Sequence, residues 1–331
     1  MSESRSIWRD SRGAFTFVFG SPLALLLLFN LTFVTVLLVL QDANLASLAY
    51  LHSSRTQFWY MLIALSPTIW LTSFFLMFGD FGDYRSAWPR SRRGQLTLTL
   101  CLAPVMLLVA LPLVGQFLTW KDSPLLATVL MPIVSNFVPK LIGVNLLGLL
   151  TSVLPISAMV GLHIQFLGRL PKYQHLGEPP GAESLDEEVL WYRHRQGQLQ
   201  RILRLLSAMF GVSLLSVGAL RNIINAAITS PAELFPTGPV MSYGLYYTGL
   251  IASIYVPAHR TLKTMGQSLA ERLLSQSLGA HPTWKQRLEE QQAISTELGL
   301  RDSPLQELQQ GIAVLAPFLA SISSLVIGTG P

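Results

Sequence analysis

The chain has 331 residues, half of them hydrophobic and 12% charged, with a mean hydropathy of +0.45 and a net charge of +5. Soluble domains carry about 25% charged residues, so this composition excludes an ordinary water-soluble fold. A lone cysteine, Cys101, excludes an intramolecular disulfide framework and a Cys-rich zinc site, and the basic residues flank apolar runs rather than forming a nucleic-acid surface.

Residues 1–13 form a basic arm, and 14–40 is the first of six apolar runs long enough for a bilayer core of about 30 Å. It is too long for the apolar part of a cleavable signal and reads as an anchor that stays. The other five runs are 58–78, 96–118, 141–167, 202–226 and 240–258, and none contains Asp or Glu. Trp59, Tyr60, Trp120, Tyr243, Tyr246 and Tyr247 stand near their ends, where interfacial aromatic residues belong. The expected fold is therefore all-α: a polytopic membrane bundle of about six spans with a small cytosolic helical portion.

Lys and Arg orient it. Nineteen of the 23 fall on alternate segments, namely the N-terminal arm (Arg5, Arg9, Arg12), the second connection (Arg85, Arg90, Arg92, Arg93), the stretch around the fourth connection (Arg169, Lys172, Arg193, Arg195, Arg201, Arg204) and the C-terminal tail (Arg260, Lys263, Arg272, Lys285, Arg287, Arg301). The positive-inside rule assigns these segments and both termini to the cytoplasmic face of the plasma membrane. Spans one to four then occupy 14–168, spans five and six occupy 202–258, and cytosolic helices lie in 169–201 and 259–331.

Two apolar segments fit the scheme less simply. Residues 123–138 are short and broken by Pro132, which predicts a re-entrant or interfacial piece. Residues 311–327 are long enough to cross but contain Pro317 and three serines, with no basic residue beyond them. They are expected to form a cytosolic amphipathic or assembly helix, with a seventh span as the alternative.

In the fourth connection, Pro179-Pro180-Gly181 breaks any helix, and Ser184 with Glu187 three residues on is a capping-box signature. No breaker except Gly197 separates this start from the fifth span, so one long helix is predicted. After the sixth span, Pro257 and His259 lead into an amphipathic helix over 261–276, which 279–282 breaks, and another follows over 284–298.

The sequence carries no phosphate-binding loop, dinucleotide fingerprint, H-E-x-x-H helix or nucleophile elbow. No histidine stands three or four residues from a second histidine or a cysteine, and Asp80 and Asp83 read as a helix end followed by a polar turn. Neither an enzyme nor a resident cofactor or metal is expected. The polar residues inside spans are the remaining candidates. Arg221 stands against the positive-inside trend, four residues from Asn225 on one face. With Asn222 and Glu233 it forms a candidate vestibule or selectivity cluster, with snorkelling or pairing to Glu233 as the plainer reading. Gly148, Ser152, Ser157 and Gly161 give the fourth span two small-xxx-small steps, and Asn145 lies nearly one turn before them. This stripe suits either packing within the chain or a subunit interface. Asn30, Gln116 and His163 are further polar groups at depth, His163 being expected as a hydrogen-bonded interface histidine.

These features predict an oligomeric membrane channel or membrane-permeabilising effector, gated from the cytosolic side. A membrane-anchored scaffold or sensor and a secondary transporter are the alternatives. The expected partners are the lipid bilayer, further copies of the same chain, and a cytosolic protein or small-molecule regulator.

Overall fold

In the computed structural model the described residues are 21–40, 54–80, 84–120, 129–131, 134–174, 182–228, 235–278, 283–300 and 304–326. They are almost wholly helical and contain no strand. The helices are α1 (Pro22–Leu40), α2 (Ser54–Gly79), α3 (Arg92–Trp120), α4 (Phe137–Gln174), α5 (Ala182–Ala227), α6 (Gly238–Ser277), α7 (Trp284–Glu297) and α8 (Pro304–Val326). The protein is a helical membrane bundle, as its apolar runs predict.

Helices α1 to α5 each contain a stretch long and apolar enough to cross a bilayer. The sixth predicted span lies inside α6 but is less apolar, because Tyr243, Tyr246 and Tyr247 occupy positions that leucine fills elsewhere. The long helix predicted before the fifth span is present as the 46 residues of α5, although it starts at Ala182, so Ser184 lies inside the helix and does not cap it. Ser91 does cap α3, its hydroxyl accepting the Gly94 N–H at 3.1 Å. Thr283 and Gln286 form a complete capping box on α7.

The sixth predicted span and the amphipathic helix after it are one element. Helix α6 runs unbroken for 40 residues, with the proline ring on its exposed side, where it displaces no neighbour. Proline in a helix cannot donate to the carbonyl four residues earlier, so that carbonyl needs another donor. In α3, Pro112 releases the Leu108 carbonyl, which accepts the Tyr246 hydroxyl of α6 at 2.7 Å. In α8, Pro317 releases the Ala313 carbonyl, which accepts the Ser207 hydroxyl of α5 at 2.6 Å. On the other side of the same proline, the Phe318 N–H donates to Thr248 Oγ1 of α6 at 3.1 Å.

These bonds fix α8 in the groove between α5 and α6. Its contact with α5 is the most extensive between any two described helices. Ala313 lies opposite Ser207, and Ser321, fully buried, lies opposite Gly244, where any side chain would collide with it. Helix α8 thus runs parallel to α5 and antiparallel to α6, beside the stretches predicted as the fifth and sixth spans. Its open face is apolar, carrying Ile312, Leu315, Leu319 and Ile322. Pro317, whose surroundings receive bonds from Ser207 and Thr248, and Ser321, packed against Gly244, are the groups of this segment that seat the helix in the bundle.

Two buried clusters close the molecule. One, at the end where α1 finishes and α4 begins, gathers Trp59, Ile63, Phe137, Leu220 and Ile224. Val129, Leu130 and Val134, from the predicted re-entrant piece, are buried in it, while 121–128 and 132–133 lie outside the described residues. Lys140 ties α1 to this end by donating to the Val39 carbonyl at 2.6 Å, in the last turn, where a cation suits the helix dipole. The other cluster fills the basic end with Met159, Phe166, Tyr192, Ile202, Tyr255 and Leu262.

Candidate functional site

Helix α4 carries the small-residue stripe, and the stripe packs within the chain. A Cβ on Gly148 would stand 2.9 Å from the Trp70 ring of α2, whose indole N–H reaches across to the Met209 carbonyl of α5 at 3.1 Å. One indole thus joins three helices, and Gly148 makes the room for it. Gly161 does the same for the connection between α2 and α3: a Cβ there would stand 2.7 Å from the Ala87 carbonyl. Ser157 accepts the Trp88 indole N–H at 3.3 Å, and Ser152 is buried with its hydroxyl on the Leu149 carbonyl at 2.8 Å.

That connection is also tied down at the basic end. The Ser86 carbonyl accepts from Gln165 Nε2 at 2.6 Å and from Arg195 Nη2 at 3.0 Å. Arg195 Nη1 donates further to Ser86 Oγ at 2.8 Å and to Gln198 Oε1 at 2.6 Å. The guanidinium is buried, and its several acceptors offset the cost of removing a charge from water. Arg169 and Arg195 both face the Trp191 ring, at 4.1 and 5.6 Å from its centre. Arg201 pairs with Asp80 at 2.6 Å, and Arg193 with Glu297 of α7 at 2.5 Å. Asp83 lies outside the described residues.

Arg221 and Asn225 share a face of α5, as their spacing predicts, and both grip the backbone that returns into α6. Arg221 Nε donates to the Phe235 carbonyl at 3.0 Å and to the Pro236 carbonyl at 3.3 Å. Asn225 accepts the Phe235 N–H at 2.7 Å and donates to the Phe235 carbonyl at 3.3 Å. Asn222 is buried, with its oxygen 3.5 Å from Arg221 Nη1. These residues hold the backbone just before α6, and Glu233 lies outside the described residues. His163 departs from expectation, because its buried Nδ1 makes no hydrogen bond among the described residues. Gln116 lies in α3, with its side chain outside the described set.

Between the two buried clusters are two adjacent cavities. One, of about 70 Å³, is bounded by Trp70, Val109, Gly148, Ser152, Met209 and Phe210. The other, of about 100 Å³, is bounded by Trp59, Ile63, Pro112, Ser216, Leu220 and Tyr243. Trp70, Leu113, Asn145, Ser213 and Tyr247 line both. Helices α2 to α6 all contribute, and no Asp, Glu, Lys, Arg or His is among the lining residues.

Two of the shared lining groups stand out. The Asn145 amide and the Tyr247 hydroxyl make no hydrogen bond among the described residues, so both are available to whatever fills the space. A cavity of this size with polar groups in its wall can hold water or a solute of a few heavy atoms. Tyr247 also stacks on Phe210 at 4.8 Å, forming the floor toward the basic end.

Of the cavity residues, Asn145, Gly148 and Ser152 stand out in the sequence. Trp59 and Tyr247 read there as interface residues, and Ser213, Ser216 and Trp70 give no site signal. Their common feature is polarity within otherwise apolar runs on different helices, which becomes a site only after packing. Comparison of the chain with protein-family models, curated proteins and solved structures gives no match, so fold and site rest on these residues alone.

Proposed function

We propose that this protein is a gated membrane channel for a small uncharged polar solute, with the paired cavities as a section of the permeation path. The observation that carries this reading is the pair of adjacent, partly open pockets between α2 and α6, uncharged in their lining, with Asn145 and Tyr247 unengaged in the wall. Both residues are half-buried in an otherwise apolar wall, and a permeant that hydrogen-bonds to the amide and the phenol would replace the water they lose there. An ion crossing here would meet no opposite charge, which favours a neutral permeant.

In this reading the packed clusters toward both ends correspond to a closed state. The gate toward the basic end is the Phe210–Tyr247 stack, whose two rings sit on α5 and α6. Those helices continue toward the basic end, where Tyr192 of α5 meets Gly266 of α6 and α7 docks through Arg193–Glu297. A force on α7 therefore reaches the stack along two rigid helices, and regulation from the basic, cytoplasmic face follows. Orientation by the basic residues puts the N-terminal arm in the cytoplasm. In this reading α8, which runs parallel to α5 along the bundle, is a further crossing.

The test is solute flux through purified protein in liposomes, using urea as the neutral probe and potassium as the charged one. Urea permeability should exceed that of protein-free vesicles and fall at least tenfold in Asn145→Leu, while Tyr246→Phe, which removes the bond to the Leu108 carbonyl without entering the cavity wall, keeps most of it. No urea permeability with or without α7 contacts would remove the channel reading and favour the scaffold, whose support is the polar helical end built by α5, α6 and α7. Flux that saturates with urea concentration would favour a carrier.

A further inference from the structure

Asn30 stands at the middle of α1, the helix that packs on α2 and otherwise presents its surface outward. In a run made almost entirely of Leu, Val, Phe and Thr, it is the single amide. Its Nδ2 donates to the Leu26 carbonyl of its own helix at 2.7 Å, and among the described residues nothing else bonds to it. The side chain is exposed rather than turned toward α2.

A carboxamide facing lipid at mid-bilayer leaves its oxygen and second N–H without water, which is unfavourable and is normally relieved by another helix. The residues around it have the spacing of such a contact. Leu23, Leu27, Asn30 and Val34 recur at alternating four- and three-residue steps, and all are exposed. This is a heptad seam with one asparagine in it, the arrangement that fixes register between parallel helices.

We infer that the outer face of α1 is a self-association site at which Asn30 pairs with the same residue of a second copy. The choice of partner follows from the chemistry. An amide donates and accepts equally well, so its complement at the same depth is another amide. Two copies inserted with the same orientation and related by a two-fold axis along the membrane normal bring identical residues together at identical depth. The flanking leucines interdigitate above and below. Among the described residues no other exposed helix face combines these features: the outward face of α3 carries leucines and valines along its apolar stretch, and its exposed amide, Gln95, stands in the first turn beside Arg92 and Arg93 rather than at mid-bilayer.

The experiment uses full-length protein in dilute proteoliposomes, in a Cys101→Ser background, since Cys101 is exposed on α3. Oxidative cross-linking of Leu27→Cys and Val34→Cys should give covalent dimers, whereas Leu107→Cys, on the exposed face of α3, should not. Adding Asn30→Leu should lower the Val34→Cys dimer yield by roughly threefold to tenfold at fixed lipid ratio, and Asn30→Gln should restore most of it. Asn30→Leu makes a lipid-facing helix more apolar, so insertion and folding are expected to survive; an unchanged thermal unfolding midpoint checks this. Monomer at both α1 positions would assign the seam to lipid and overturn the inference. Equal dimer yield at Leu107→Cys, or a yield indifferent to Asn30→Leu, would overturn it as well.

Discussion

Helices α1 and α5 are both apolar enough to span a bilayer, yet they live in different surroundings. Only 6% of the residues in the apolar stretch of α1 are buried, and the same is true of α3, whereas in α5 the share is 67%. The order of hydropathy runs the other way, with α1 and α3 the most apolar and α5 among the least. In water this would be paradoxical. In lipid it is expected, because leucine gains nothing by leaving acyl chains for protein, and helices associate through close packing and hydrogen bonds. Helix α5 offers Ser207, Met209 with its carbonyl on Trp70, Arg221 and Asn225 as attachment points. Helix α1 offers little more than leucine, valine and one asparagine.

The largest effect that tests this comparison is all-or-none. If α8 is held by polar bonds as firmly as α5, it crosses the membrane, and a cysteine placed after Pro331 is labelled by impermeant maleimide from the side opposite to one placed in the N-terminal arm. Labelling of both from the same side would break the claim that α8 belongs with the buried class.

Next is a pair of glycines in one helix. Gly161→Val should destabilise the protein by about 2–3 kcal/mol, because the new side chain meets the Ala87 backbone carbonyl, which cannot step aside. Gly143, also in α4, has open space around it, so Gly143→Ala should leave the unfolding midpoint within about 0.5 kcal/mol of the parent, or raise it through helix propensity. Equal effects would show that burial does not separate the two faces of α4.

Smaller losses are expected at the proline of α8. Ser207→Ala removes the donor to the Ala313 carbonyl and should cost about 1–2 kcal/mol in a detergent unfolding titration. Thr248→Val, on the other side of the same proline, should cost a similar amount, and the double substitution less than their sum, because both bonds hold one segment. Full additivity would mean that the two bonds act independently. Near zero lies Leu107→Ala on α3, whose side chain faces outward, since the exchange there is leucine in lipid for alanine in lipid. A loss above about 1 kcal/mol would place α3 against an unseen partner and sharpen the comparison.

Particular elements show what could be read in advance. Spans one to five were legible as uninterrupted apolar length, and α5 as one helix because nothing between Ser184 and the fifth span breaks it. That the sixth span and the helix after it are continuous is not legible in the sequence, because it depends on the Pro257 ring finding free space on the outer side of α6. For the 311–327 segment the sequence shows Pro317 and three serines but not their surroundings, in which Ser207 and Thr248 supply the bonds around the proline. Arg221 and Asn225 were correctly paired by spacing, but their acceptor, the Phe235 backbone, is 14 and 10 residues away and follows no periodic pattern.

By itself the sequence determined the solvent of this protein, the approximate ends of its helices and the grouping of its basic residues. Those depend on composition along one dimension, because a bilayer selects for apolar length and charge asymmetry. Tertiary structure alone decided which polar groups are spent on packing and which remain available. Ser207, Thr248, Trp70, Arg221 and Asn225 are consumed by neighbours far away in the chain, while Asn145 and Tyr247 are left facing a cavity and Asn30 is left facing outward. The reason is physical: a hydrogen bond is satisfied by distance and direction in space, and both are set only when the helices come together.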